Sequence, residues 1–158
     1  MLSPQPVMKR VGRFLLLQQI DHGGLGMVYA AYDEQLDRKV AVKVTREDHI
    51  LDDEQRLRFH REAQALAQLS DPNVVTVHEV GESDGRVFVA MEYVHGISFS
   101  AWLTTEPGWR AVLEAFVLAG LGLKAAHDAE LVHGRFEPAN IIRGDDGTVK
   151  VLGFGLGR

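Results

Sequence analysis

The chain has 158 residues, 46% hydrophobic and 25% charged, which is enough apolar material for one globular domain and excludes a disordered or fibrous chain. Its formal charge of −5 gives no electrostatic basis for binding nucleic acid or an anionic membrane, and the absence of cysteine rules out disulfides and thiolate metal sites and suits a cytoplasmic location. The opening MLSPQPVMKR lacks the apolar core of a secretion signal, and the most apolar stretch, 111–126, is broken by Glu114, Gly120, Gly122 and Lys124, so no membrane anchor is expected.

Residues 1–10 are expected to form a flexible N-terminal tail. Beyond them, β-branched and aromatic runs separated by glycine or charged turns predict strands over 14–20, 27–32 and 40–45. Between Asp52 and Leu69, the apolar residues Leu57, Ala63, Leu66 and Leu69 recur at helical spacing, and Pro72 follows the end of that pattern. Strand patterning resumes over 74–80 and 86–93, around the turn Glu82-Ser83-Asp84-Gly85. Residues 11–93 therefore predict a five-stranded antiparallel sheet carrying one helix.

After Gly96 the pattern turns helical, with a short segment over 98–103, a turn at Pro107-Gly108 and a long apolar helix from Trp109 to Asp128. Two short strands, 140–143 and 148–152, flank the hairpin signal Asp145-Asp146-Gly147. The fold class is α+β, with 94–158 as a second, mainly helical part. The seven histidines show no paired metal-ligand spacing, so no metal site is expected from them. The charged run 56–61 reads as the solvated face of its helix, without the interleaved aromatics that base stacking needs.

Residues 20–31, IDHGGLGMVYAA, form a glycine-rich turn between two strands in which Gly23, Gly24 and Gly26 would let the backbone approach phosphates. Taken alone, such a turn is more often a plain hairpin. It is followed in order by Val40-Ala41-Val42-Lys43, by RFHREAQAL containing Glu62, by Pro72-Asn73-Val74-Val75, by MEYVHG over 91–96, by LVHGRFEPANII over 131–142 and by VKVLGFGLGR over 149–158. This series resembles the bacterial Hanks-type Ser/Thr protein kinases over roughly residues 11–158.

The resemblance implies a protein kinase-like fold: a complete N-lobe of five strands plus helix αC over 11–93, then a hinge and a partial, mainly helical C-lobe over 94–158. ATP would lie between the lobes, with its adenine on the backbone of Glu92 to Val94 and its phosphates near Lys43 and the partner glutamate Glu62. Val28 and Ala41 would cover the base, Ile142 would support it from below, and Met91 would take the gatekeeper place. His133, Phe154 and Leu66 match the family's hydrophobic spine.

Phosphoryl transfer in this family needs a catalytic aspartate, a phosphate lysine and an aspartate on magnesium. The matching positions here are Arg135, Glu137 and Gly153, which leaves Asn140 as the one matching metal ligand, and Asp21 replaces the first glycine of the phosphate cover. A guanidinium cannot accept a proton at physiological pH. The expectation is a truncated pseudokinase with no catalytic residues, impaired magnesium binding and at most weak, magnesium-independent ATP contact, acting as a regulatory or protein-binding module. Arg135 and Glu137 are spaced to form a charge-reversed ion pair. The alternatives are an ATP-dependent kinase with unorthodox catalytic residues and an inactive, degenerate kinase fragment. Val112, Leu113, Phe116, Val117, Leu118, Leu121 and Leu123 cover much of the long helix, so a protein partner or self-association is expected there.

Overall fold

The computed structural model describes residues 9–23, 26–46 and 51–154, with the backbone alone at 22 and 23. Six strands, β1 (Arg10–Val11), β2 (Phe14–Gly23), β3 (Gly26–Asp33), β4 (Arg38–Thr45), β5 (Val77–Ser83) and β6 (Arg86–Glu92), form one antiparallel sheet in the order β1-β2-β3-β4-β6-β5. The sixth strand beyond the expected five is β1. It is only two residues long and forms because Val11 buries with Phe14 in the core on one face of the sheet. Arg10, assigned to the tail by sequence, pairs with Leu15, while residues 1–8 lie outside the described residues.

Helix α1 (Asp53–Gln68) separates β4 from β5 and opens with a capping box, in which the Asp52 carboxylate accepts from the Gln55 N–H at 2.7 Å and the Gln55 side chain accepts from the Asp52 N–H at 3.0 Å. Ala63 and Leu66 are buried, but Leu57, placed by its spacing on the apolar face, is 51% exposed. The first half of α1 is held to β5 by charge instead, through Arg56 and His60 on Glu82 at 2.9 and 3.4 Å. Helical periodicity reports which residues share a stripe and not how far along its length that stripe is covered.

Past β6 come β7 (Gly96–Ser98), α2 (Phe99–Leu103), α3 (Trp109–Asp128), a 3₁₀ turn (Pro138–Asn140), β8 (Ile141–Gly144) and β9 (Val149–Val151), with β7, β8 and β9 forming a second antiparallel sheet. Strand β7 was not expected from sequence, since three residues carry too little periodicity to register. Asn140 ends the 3₁₀ turn instead of starting β8.

Residues 73–75 join the two parts. Val74 and Val75 were expected to begin the strand before the turn at 82–85, but the backbone here bonds to β9: the Val151 N–H donates to the Asn73 carbonyl at 2.8 Å and the Val75 N–H to the Val151 carbonyl at 2.9 Å. The Asn73 side-chain amide adds a bond to the Val149 carbonyl at 3.0 Å. Helix α3 packs so closely on this crossing that a Cβ at Gly122 would meet the Asn73 carbonyl oxygen at 2.4 Å. Val74, Val151, Ala119 and Ala126 are buried in one cluster with Leu66 and Phe154, so a single core runs through both parts. On the opposite side of α3, Trp109, Leu113, Val117 and Leu121 form an exposed apolar stripe, while Val112, Phe116, Leu118 and Leu123 are partly buried against the core.

The two central glycines of α3 should respond in opposite directions. Gly120→Ala, which adds a methyl in open space, should raise stability by about 0.5–1 kcal/mol through helix propensity. Gly122→Ala should lose about 2 kcal/mol or more despite the same propensity gain, because α3 must separate from Asn73. Urea unfolding of the two variants provides the measurement.

Candidate functional site

The strand register gathers the predicted pocket residues on one face of the larger sheet. Val28 is opposite Lys43, Ala30 opposite Ala41, Ala41 opposite Met91 and Lys43 opposite Val89, and directly paired residues point to the same side. Val28, Ala41, Lys43 and Met91 therefore share a surface, and the opposite surface carries the separate core of Val40, Val42, Val44 and Phe88.

Strand β2 reaches this face through an irregularity that sequence inspection missed. Its pairing with β3 slips between Leu16 and Gln18 and again between Gln19 and Asp21, leaving Leu17 and Ile20 as unpaired bulge residues, both exposed. The slip at Ile20 reverses the alternation that follows. Asp21 becomes the partner of Val28 and so stands on the same face as Lys43.

The glycines divide in role. Gly23 and Gly26 pair at the end of the β2–β3 hairpin, and Gly24 lies outside the described residues. A Cβ at Gly26 would sit 2.5 Å from the Val44 carbonyl oxygen, so this glycine is required by the close approach of β3 and β4, whatever part it has toward phosphates.

Burial pushes the Lys43 ammonium below its ordinary pKa; the Asp21 carboxylate opposes that shift and the Arg135 guanidinium adds to it. The three charges thus belong to one site. Glu62 is half-buried on α1, and Asp21, exposed on β2, is a carboxylate whose charge acts on Lys43.

At the end of β6, the Glu92 carboxylate accepts from the Thr76 N–H at 2.9 Å and pairs with Lys150 at 2.9 Å, while the Glu92 N–H donates to the Thr76 carbonyl at 2.9 Å. This fixes the crossover between the two sheets to β9. Val94 follows beyond the end of β6, where its backbone is released from the ladder. His95 accepts from the Asp145 N–H at 2.8 Å, which holds the segment against the β8–β9 turn. Ile142, in β8, is half-buried and pairs with Ser98 and Lys150.

The loop 133–140 is closed on itself by hydrogen bonds. His133 Nε2–H donates to the Leu152 carbonyl at 2.8 Å, and Nδ1 accepts from the Arg135 N–H at 3.1 Å, so a single neutral tautomer satisfies both. The Arg135 carbonyl accepts from the Asn140 side-chain amide at 2.8 Å, and the Asn140 N–H donates to the Glu137 carbonyl at 2.8 Å. The Arg135 and Glu137 side chains form the ion pair their spacing predicted, with Nε and Oε1 3.2 Å apart. His133 stacks on Phe154 with centroids 4.6 Å apart, and Phe154 buries in the cluster that holds Leu66.

Gly153 has φ +82°, and a Cβ there would meet Asn140 Oδ1 at 2.9 Å. The Asn140 amide nitrogen is committed to Arg135, and its oxygen lies where a side chain at position 153 would begin. Among the described residues, no group of three or more histidines and carboxylates is placed to hold a metal ion. Gly155 lies outside the described residues.

Comparison with known proteins gives this geometry a family. The family described as "Protein kinase domain" matches residues 14–158. This chain belongs to the protein kinase family. The kinase chain is 36% identical over 154 residues to serine/threonine-protein kinase PrkC of Bacillus subtilis, covering 94% of itself and 23% of that protein. It is also 36% identical over 164 residues to PknA of Mycobacterium tuberculosis, covering 99% of itself and 38% of PknA. The chain thus spans between about a quarter and two fifths of these relatives. A crystal structure of the M. tuberculosis PknI kinase domain superposes with a TM-score of 0.86 at 26% identity, covering 98% of this chain and 64% of that one. The bacterial Ser/Thr kinase resemblance and the α+β kinase fold are thereby established, in a family whose members bind ATP with magnesium.

Two measurements follow. Gly153→Ala should lower stability by about 2 kcal/mol, because a left-handed φ disfavours an L side chain by about 1 kcal/mol or more and Asn140 must also move. Burial holds His133 below the ordinary imidazole pKa, so the neutral ring stabilises the fold fully above pH about 6.5 and that contribution fades as pH falls below it. The drop in melting temperature between pH 7.5 and 5.5 should therefore be smaller in His133→Phe than in the wild type, with His78, also held low by burial, supplying a remainder.

Proposed function

We propose that the kinase chain is a pseudokinase module that contacts nucleotide weakly and without magnesium and acts by binding rather than by phosphotransfer. The arrangement of Gly153 and Asn140 carries this reading: the position that would supply the principal magnesium carboxylate has no side chain, and the neighbouring amide fills the space where one would begin. Magnesium binding is accordingly impaired. A fixed guanidinium at Arg135 cannot take a proton from a substrate hydroxyl, and Glu137 places a carboxylate where a cation would steady the transferring phosphate.

The adenine side of the cleft retains what a heterocycle needs. Val28, Ala41 and Met91 supply an apolar face, and the backbone between Glu92 and Val94 leaves the ladder beside it. A regulatory role would run through protein contact on the α3 stripe of Trp109, Leu113, Val117 and Leu121, with a protein partner or a second copy as occupant. No helix among the described residues is long and apolar enough to cross a membrane, and the lack of cysteine supports action in the cytoplasm.

Thermal melts with ATP, with and without magnesium, joined to a radiolabel phosphotransfer assay, test the proposal. The expected result is a small stabilisation that does not depend on magnesium, is lost in Lys43→Ala and is accompanied by background phosphotransfer. Phosphotransfer above background would establish the enzyme instead. Sedimentation velocity should show association that Leu113→Glu and Val117→Glu weaken.

A further inference from the structure

We propose that the cleft of this chain selects an uncharged nucleoside over a nucleoside triphosphate, because Asp21 sets a carboxylate on the Lys43 face, where the phosphates would lie. The inference rests on the nucleotide-binding reading above and specifies its ligand.

The geometry begins with the bulge. Had β2 alternated regularly from Gln19 onward, Ile20 would point to the Lys43 face and Asp21 to the far side; the slip between Gln19 and Asp21 exchanges them. Asp21 then pairs with Val28, and Val28 pairs with Lys43, which places the three in one row across β2, β3 and β4. The direction in which Asp21 acts on Lys43 agrees with that placement.

The second cation of the site is paired within its own loop. Arg135, which acts on Lys43 from the loop 133–140, is paired with Glu137 at 3.2 Å. Lys43 and Arg135 contribute two positive charges at the phosphate end, and Asp21 and Glu137 contribute two negative ones. A triphosphate entering this end would meet no net positive charge from these four groups and, with Gly153 in place of a carboxylate, no metal ligand set among the described residues to import one. It would also approach the Asp21 carboxylate on the Lys43 face. A nucleoside makes neither demand: its base needs the apolar row of Val28, Ala41 and Met91 and the released backbone near Val94, and its ribose carries no charge.

Calorimetry at constant ionic strength with adenosine and with ATP, on the wild type, Asp21→Asn and Asp21→Gly, decides the matter. The wild type should bind adenosine at least as tightly as ATP. Asp21→Asn should tighten ATP by about tenfold through loss of one like charge, and leave adenosine within about twofold. Wild type favouring ATP, or an unchanged ratio in both variants, overturns the proposal while leaving the nucleotide pocket in place. Binding of neither ligand overturns both this proposal and the nucleotide part of the pseudokinase reading. Lysine carbon NMR gives a ligand-free readout: the titration midpoint of Lys43 should fall in Asp21→Asn, and a midpoint that does not move removes the interaction on which the proposal stands.

Discussion

The crossing of residues 73–75 over β9 holds the molecule together as one body. Two backbone bonds to Val151 and the Asn73 amide on Val149 close a connection between segments 76 residues apart. Everything near the cleft is referred to this point. Val74 and Val151 lie in the cluster that buries Leu66 of α1 and Phe154 after β9, α3 presses Gly122 against Asn73, and Lys150 reaches from β9 to Glu92 at the end of β6. Backbone bonds buried between packed elements are costly to leave unmade, so the relation of the sheet to the loop 133–140 is set by structure that lies outside the cleft itself.

The loop 133–140 shows the same economy on a smaller scale. His133 is bonded at both ring nitrogens, Asn140 at its amide nitrogen and both backbone groups, and Arg135 and Glu137 to each other. The Arg135–Glu137 pair is exposed and contributes little to stability. Its effect is on charge, since it reverses the order of acid and base found in the catalytic loops that this chain resembles while keeping their sum.

Much of this was legible from residue types. Helix α3 runs over the span its apolar density indicated, apolar spacing between Asp52 and Leu69 located α1, and the spacing of Arg135 and Glu137 was enough to suggest their pairing. What escaped were features set by pairing partners distant in the chain. Nothing within β2 marks Leu17 and Ile20 as bulges, because a bulge exists only relative to β3. Gly26 reads as a phosphate glycine, and nothing in its sequence neighbours shows that Val44 stands beside it. Val74 and Val75 have strand composition and do make strand-like bonds, but to β9 and not to β6. The placement of Asp21 on the Lys43 face likewise follows from a change of strand parity that order along the chain does not show.

The distance along the chain between Asn73 and Val149 also bears on how the fold is reached. The larger sheet and α1 consist of neighbouring segments and can assemble as they leave the ribosome, but Val75 and the Asn73 carbonyl lack their backbone partners until β9 has been made. During that interval the nascent chain presents an apolar edge with unpaired backbone groups beside it. The order of synthesis thus delays the partner of residues 73–75, and any pause before residue 149 prolongs the time in which a chaperone or another nascent chain can reach that edge.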